Sequence, residues 1–295
     1  MKSFGLVMRL SNIDSSLSAL IANINPAVKT ADCHISPVSG LTGESWRITG
    51  PGIDWLAREQ SPHKSQLGVN RRRERKFLQH IAGNGLSPAV IAANQRWLVV
   101  NWLEGDVVTN EQFIPLVNHG QLARLLARLH HLPASGYRLD LRAQIARYGA
   151  LIDPTRRSPG GVRLQHDFLR RPLPAITKIA PLHMDIHPGN LLTTPVGLKL
   201  IDWEYAADGD IALEIAALFR GNHWSMLQQQ AFLQDYCNNE HGYHDIARLA
   251  RQIQQWLPWV DYLMLMWFEV RWQQTADPIF LAWAAPLRQR FNLSF

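Results

Sequence analysis

Residues 181–210 read PLHMDIHPGNLLTTPVGLKLIDWEYAADGD, and the fold turns on this stretch. It gathers acids and amides that a buried strand would not tolerate. Two β-like runs, 190–193 and 198–201, are joined by the turn residues Pro195 and Gly197, which predicts a hairpin. Asn190 stands at one end of that hairpin and Asp202 at the other, so an amide oxygen and a carboxylate come together. Oxygen donors of this kind suit Mg²⁺, which takes one or two protein groups and completes its octahedron with water and phosphate.

Asp185 lies five residues before Asn190, far enough back for a loop to carry it over a metal-bound phosphate, where it accepts a hydroxyl proton. An Asp, an Asn at that spacing and a second Asp after a hairpin form the catalytic-loop and metal-ligand arrangement of phosphoryl transfer in kinases. Here HMD and IDW stand where protein kinases carry HRD and DFG. Singly, each residue reads as an ordinary turn or strand end; together, flanked by His183 and Trp203, they read as a site. A competing reading takes His183, Asp185 and His187 as alternating ligands of a transition metal on one strand face. Against it, Pro188 and Gly189 break the strand at once, no further His/Cys cluster completes a ligand set, and Asn190 and Asp202 are left without a purpose.

The 295 residues, 46% of them hydrophobic, suffice for a large core, and two lobes with a cleft are expected. Low charged content (18%) excludes a disordered chain, and 11 Trp predict aromatic area in a core or ligand site. A net charge of +6 suits a polyanionic ligand but is spread along the sequence. Cys33 and Cys237 fit neither a zinc site nor a disulfide scaffold, which points to a reducing, cytoplasmic setting. The apolar stretch 4–8 is interrupted by Arg9 and lacks a cleavage pattern, and no apolar run reaches the length of a membrane span, so no membrane role is expected. The basic cluster 71–76 is interrupted by Glu74 and no aromatic residue interleaves before Phe77, so no nucleic-acid role is expected; the chain is expected to be a monomer.

Along the chain, residues 11–24 read as a helix, and 34–38, 45–49 and 53–58 as a meander with Gly-containing turns. Residues 70–82 read as a helix and 89–103 as two strands joined near Asn94 and Gln95. From Gln121 the run LARLLARLHHLP puts Leu122, Leu125, Leu126 and Leu129 on one helical face and stops at Pro133. Residues 152–178 are expected to be loop with short helical pieces, 210–237 and 244–272 helices, the last broken near Pro258.

The motifs HMDIHPGN and LIDWE resemble the signature of the aminoglycoside phosphotransferase and choline kinase superfamily, over roughly residues 34–220. A closer subgroup likeness, in GLKLIDWEYAADGDIALEIAA and WFEVRWQQT, runs to about residue 285. The resemblance implies an α+β, bilobal protein-kinase-like fold: a small antiparallel-sheet nucleotide lobe over 1–103 and a larger, mostly helical catalytic and substrate lobe over 104–295. It implies ATP- and Mg²⁺-dependent phosphorylation of a small-molecule hydroxyl, with Asp185 as base and Asn190 and Asp202 as metal ligands. His183 would brace the loop, and Asp210 and Glu214 would be anchors. In the first lobe it assigns the nucleotide loop to Ser39, Gly40 and Gly43, whose region lets backbone N–H groups approach phosphate. Arg58 stands where the family's strand Lys grips phosphates, with Glu74 as its helix partner and Lys64 as the alternative cation. Asn101 to Leu103 would be the adenine-reading hinge.

The helix over 259–272 is apolar nearly all round, so Asp261, Glu269 and Arg271 are paired, solvated, or aimed into a pocket. Trp203, Glu204, Trp267, Glu269 and Trp272 are the candidate substrate pocket, suited by stacking, cation–π contact and carboxylate charge to a cationic heteroaromatic alcohol. The alternatives are an aminoglycoside, choline or sugar amine as acceptor, and a nucleotide-binding module without catalysis.

Overall fold

The computed structural model describes residues 15–26, 32–38 and 45–293. They fall into two compact units, one made of the described residues up to 61 together with 70–105, the other of 62–69 and 106–293. The segment Pro62–Val69 thus joins the second unit, where a linear reading of the chain puts it in the first.

In the first unit, α1 (Ser15–Ile24) precedes β1 (His34–Pro37), β2 (Ser45–Gly50) and β3 (Ile53–Glu59). The chain then lends α2 (Pro62–Gln66) to the second unit before returning as α3 (Arg71–His80), β4 (Val90–Ala93) and β5 (Trp97–Asn101). The strands form a five-stranded sheet in the order β1-β2-β3-β5-β4, with every pairing antiparallel. Alternation decides its faces: Ile53, Trp55 and Ala57 of β3 join Leu17, Ile21, Ile48, Trp97 and Val99 in one core, which α1 closes. Arg58, the next residue along β3, projects from the other face, where α3 presents Glu74. Asn70 starts α3 by accepting from the Arg73 N–H at 3.0 Å.

The second unit carries two small sheets. The first pairs β6 (Asp106–Val107) with β8 (Leu191–Thr194), which pairs with β9 (Gly197–Leu200); the second pairs β7 (Ile179–Leu182) with β10 (Ala207–Asp210). The remainder is helical: α4 (Asn110–Asn118), α5 (Gln121–His131), α6 (Leu141–Leu151), α7 (Pro159–Arg170), α8 (Ile211–Gly221), α9 (Met226–Asn238), α10 (Ile246–Thr275) and α11 (Pro278–Arg290). The leucine face of α5 is buried as its spacing predicts.

Three expectations need correction. Residues 159–170 form a regular helix, started by the Ser158 side chain, which accepts from the Gly161 N–H, and by Pro159 in the first turn. Phe168 is its buried residue, stacked on Tyr262 at 4.2 Å, with Leu164 and Leu169 half-buried beside it. The helix expected over 210–237 is two, because His223 takes a left-handed backbone and Ser225 opens α9 with a capping box. Pro258 does not break α10, which runs for 30 residues. Proline in a helix interior costs about 3 kcal/mol, and the apolar burial of Trp256, Trp259, Val260 and Leu265 around it exceeds that.

Asp208 shows how β10 is tied to its surroundings: its buried carboxylate accepts from the Ser135 N–H and hydroxyl, both at 2.9 Å, and from the Gly136 N–H at 2.6 Å. Asp208→Ala is expected to lower stability by about 2–4 kcal/mol in urea unfolding, because it leaves these donors unmatched without exposing more chain.

Candidate active site

The loop between β7 and β8 is held from below. At Met184 the backbone turns left-handed (φ 67°), which ends the strand and directs the N–H groups of His183 and Met184 to one side. Both donate to a single oxygen of Glu214 on α8, each at 2.6 Å. The other Glu214 oxygen lies 2.7 Å from His130 Nε2, and His130 Nδ1 lies 2.8 Å from the Tyr236 hydroxyl. Tyr236, His130 and Glu214 thus make a buried chain that ends on the loop's main chain.

His183 braces the same loop from within. Its Nε2 donates to the Ile201 carbonyl at 2.8 Å, its Nδ1 accepts from the Asp185 N–H at 3.3 Å, and its ring meets the edge of Trp203 at 4.7 Å. With both ring nitrogens engaged and Met184 breaking the strand's alternation, the geometry does not favour His183, Asp185 and His187 as a transition-metal triad. Among the described residues no group of three or more His, Cys, Asp or Glu side chains is disposed around a common metal position.

The hairpin does what its spacing predicts. The Ile201 N–H donates to the Asn190 carbonyl at 3.0 Å, so the residues flanking the hairpin lie side by side. Asn190 Nδ2 donates to the Asp185 carbonyl and carboxylate at 2.8 and 3.0 Å, which commits its amide nitrogen and turns its oxygen the other way. Asp202 has a left-handed backbone (φ 62°), a conformation that Asp tolerates, and opens the turn Trp203–Tyr205. An amide oxygen and a carboxylate so placed fit a hard divalent cation that keeps most of its shell for water and phosphate.

Carboxylates crowd this place. Desolvation, then the negative charges of Asp202 and Glu204, push the Asp185 carboxyl up to about 7, while the Asn190 hydrogen bond and the Lys64 ammonium pull it back. His187, 3.8 Å from Asp185, is shifted down by burial and by His183, so it is neutral at neutral pH. Glu204 is buried and receives Lys64 of α2 through both oxygens, at 2.8 and 3.1 Å. Tyr205 accepts from Trp267 Nε1 at 3.0 Å, and burial holds its hydroxyl well above the usual range, so it stays a neutral phenol.

In the first unit Arg58 and Glu74 form a buried ion pair, and Arg71 reaches the second Glu74 oxygen at 2.6 Å. Asn101 closes β5, accepting from the Ala89 N–H at 2.5 Å, and Leu103 follows two residues on. Ser39, Gly40 and Gly43 lie outside the described residues.

The five residues expected to form a substrate pocket do not gather in one place. Trp203 is a core residue, 1% exposed, its indole N–H donating to the Leu200 carbonyl at 2.8 Å. Glu204 is engaged by Lys64, and Trp267 is turned to Tyr205. Glu269 and Trp272 belong to another neighbourhood: Arg156 and Arg288 pair with the Glu269 carboxylate at 2.5 and 2.9 Å, and Arg156 also lies over the Trp272 ring at 5.1 Å. The cause is helical geometry, since residues two apart on α10 point to nearly opposite sides. Glu269 therefore balances charge between helices, which corrects the expectation that it stands ready for a cationic ring. Lys64 and Tyr205 are the side chains that sequence reasoning undervalues; Tyr205 adjoins the motif, whereas nothing in the sequence ties Lys64 to Glu204.

With this geometry in place, comparison with known proteins is direct: residues 34–252 match the family described as phosphotransferase enzyme family. The chain belongs to that family. Among curated relatives of this phosphotransferase, the thiamine kinase of Escherichia coli O1:K1 / APEC is 38% identical over 248 residues, covering 82% of this chain and 84% of the relative. The thiamine kinase of Shigella dysenteriae serotype 1 (strain Sd197) matches to the same extent. Among solved structures, the choline kinase LicA from Streptococcus pneumoniae has a TM-score of 0.71 at 16% identity, covering 95% of this chain and 99% of that one. A Plasmodium vivax ethanolamine kinase has a TM-score of 0.68 at 16% identity, covering 90% and 84%. Their likeness shows the shared fold, the mixed protein-kinase-like architecture of a small antiparallel sheet and a larger helical part.

Glu269→Gln is expected to cost about 3 kcal/mol in urea unfolding, because two buried or half-buried guanidiniums lose their shared charge. The acceptor KM is expected to stay within about threefold; a KM rise of about tenfold at unchanged stability would return Glu269 to the substrate pocket.

Proposed function

We propose that this phosphotransferase transfers the γ-phosphate of ATP to the hydroxyl of thiamine, giving thiamine phosphate. The observation that carries the substrate is the 38% identity to thiamine kinases over 82% of the chain, with the loop residues of phosphoryl transfer in place. The geometry that supports the chemistry is Asp185, oriented by Asn190 beside Asp202.

In this reading the first unit binds the nucleotide, through Ser39, Gly40 and Gly43, the Arg58–Glu74 pair, and the main chain of 101–103. The second unit carries the reaction. Asp185 accepts the proton of the alcohol as its oxygen bonds to phosphorus, and ADP leaves with the electron pair of the broken P–O bond. Asn190 and Asp202 would hold Mg²⁺, which would supply positive charge to offset that of the phosphate. Glu214, His130 and His183 keep the loop in place while this happens. Tyr205 and Trp267, joined by the indole N–H at 3.0 Å, are the groups that address the acceptor.

Asp185→Ala is expected to lower turnover by about 10²–10⁴ while ATP still binds, as measured by titration calorimetry beside steady-state rates. Unchanged turnover would remove Asp185 as base. Asp202→Asn is expected to raise the Mg²⁺ concentration needed for half-maximal rate by about tenfold or more, since a neutral amide holds a hard dication less firmly. The substrate is tested by mass spectrometry on a mixture of thiamine, choline, kanamycin and a sugar amine with ATP and Mg²⁺. Thiamine phosphate is the expected product; another phosphorylated alcohol would keep the reaction and replace the substrate.

A further inference from the structure

Lys64 and Glu204 form an ion pair in which both side chains are almost wholly withdrawn from water, 4% and 3% exposed. Burying two opposite charges seldom adds stability over an apolar pair of the same size, so such a pair calls for another reason to be there. Fastening α2 is not that reason. The segment is already tied to the second unit by Tyr148 and Gln144, which donate to the Leu67 carbonyl at 2.9 and 3.0 Å, and by Gln274, which donates to the His63 carbonyl at 3.1 Å and to Gln66 at 2.8 Å.

Location supplies the reason. Glu204 follows Asp202 by two residues in the turn Trp203–Tyr205, so the ammonium it holds at 2.8 Å is brought to the short stretch of chain that carries Asp202. Asp185, Asp202 and Glu204 bring three negative charges to a place that a nucleotide triphosphate, itself polyanionic, must approach. A positive charge held beside them lowers the cost of that approach, and more so inside the protein than in water.

We propose that Lys64 is a positioning residue of phosphoryl transfer: its ammonium, fixed by Glu204, supplies the positive charge beside Asp185 and Asp202 while the phosphoryl group crosses. The inference rests on the phosphotransfer reading and adds to it a residue outside the catalytic motifs. The alcohol proton passes to Asp185, the alcohol oxygen bonds to phosphorus, and the P–O bond to the departing ADP breaks with its electrons on ADP. Lys64 exchanges no proton or bond in this step. It acts through the field at the carboxylates.

The test is a double-mutant cycle on the full chain, with wild type, Lys64→Met, Glu204→Gln and the double variant compared for unfolding midpoint, kcat and acceptor KM. Lys64→Met is expected to lower kcat by about 10²-fold in the wild type and by about tenfold in the Glu204→Gln variant, where the ammonium is no longer fixed by a carboxylate, with acceptor KM within about threefold. A structural pair behaves otherwise: once Glu204 is neutral, removing Lys64 leaves no orphaned charge, so Lys64→Met would have no further effect on kcat. That result overturns the proposal, as does wild-type turnover in Lys64→Met itself. Should Lys64→Met alone fail to fold, the comparison of Glu204→Gln with the double variant, which removes both charges, still decides once the unfolding midpoint shows that Glu204→Gln is folded. Rates are read as ADP formed with the alcohol that the wild type phosphorylates. A wild type that makes no thiamine phosphate therefore strikes the substrate reading and leaves the Lys64 ratios to be read on another acceptor.

Discussion

Two N–H groups meeting one carboxylate oxygen hold the reactive loop in place. Between His183 and Met184 the chain takes a left-handed turn that a β-branched or bulky residue adopts rarely, and Glu214 stabilises it by accepting both N–H groups at 2.6 Å. A charged acceptor roughly doubles the strength of such bonds, and the site is buried, so the turn is well determined. The rest of the loop follows from it: the Asp185 N–H falls to His183, and Asn190 reaches back to the Asp185 carboxylate. Glu214 is in turn oriented through His130 and Tyr236, which links the loop to α5 and α9.

Charge is the second constraint. The unit around the loop concentrates carboxylates, and it manages them one by one: Glu214 by main-chain donors and His130, Asp208 by the Ser135 and Gly136 N–H groups, Glu204 by Lys64. Asp210 serves α8 as its N-cap, accepting from the Ala212 N–H at 3.3 Å, and also receives the Trp256 indole N–H at 2.9 Å. Asp185 is the carboxyl left partly open to solvent with a raised affinity for protons, the property a proton acceptor from an alcohol needs. On α10, Glu269 and Asp261 are absorbed by arginines from neighbouring segments, so that helix binds its neighbours through ion pairs as much as through apolar contact.

Much of this is legible in residues 181–210 because its elements are short and local. A hairpin, a Gly-containing turn and a loop length are set by neighbours within a few residues, so Asp185, Asn190 and Asp202 are brought together by the chain's own geometry. The first-unit meander and the leucine face of α5 are readable for the same reason, through periods of two and of about 3.6 residues. The helix over 159–170 sits among Arg- and Pro-rich flanks, and its start depends on the Ser158 cap and on Pro159 in the first turn, which read equally well as loop residues. Proline's local cost in α10 is visible in the sequence, whereas the burial on both sides that outweighs it is not.

Residue order alone sets the class of the fold, the succession of loop, hairpin and second carboxylate, and hence a phosphotransfer chemistry, since all of these depend on short-range spacing. Which charges are spent and which remain is settled only in three dimensions. That Glu269 is held by Arg156 and Arg288, that Trp203 fills the core behind His183, and that Lys64 crosses 140 residues of sequence to reach Glu204 are outcomes of packing between distant segments. An ionised side chain reads the same in any sequence. Whether it is a counter-ion, a strut or a reagent depends on what burial places within about 3 Å of it, and no local pattern carries that information.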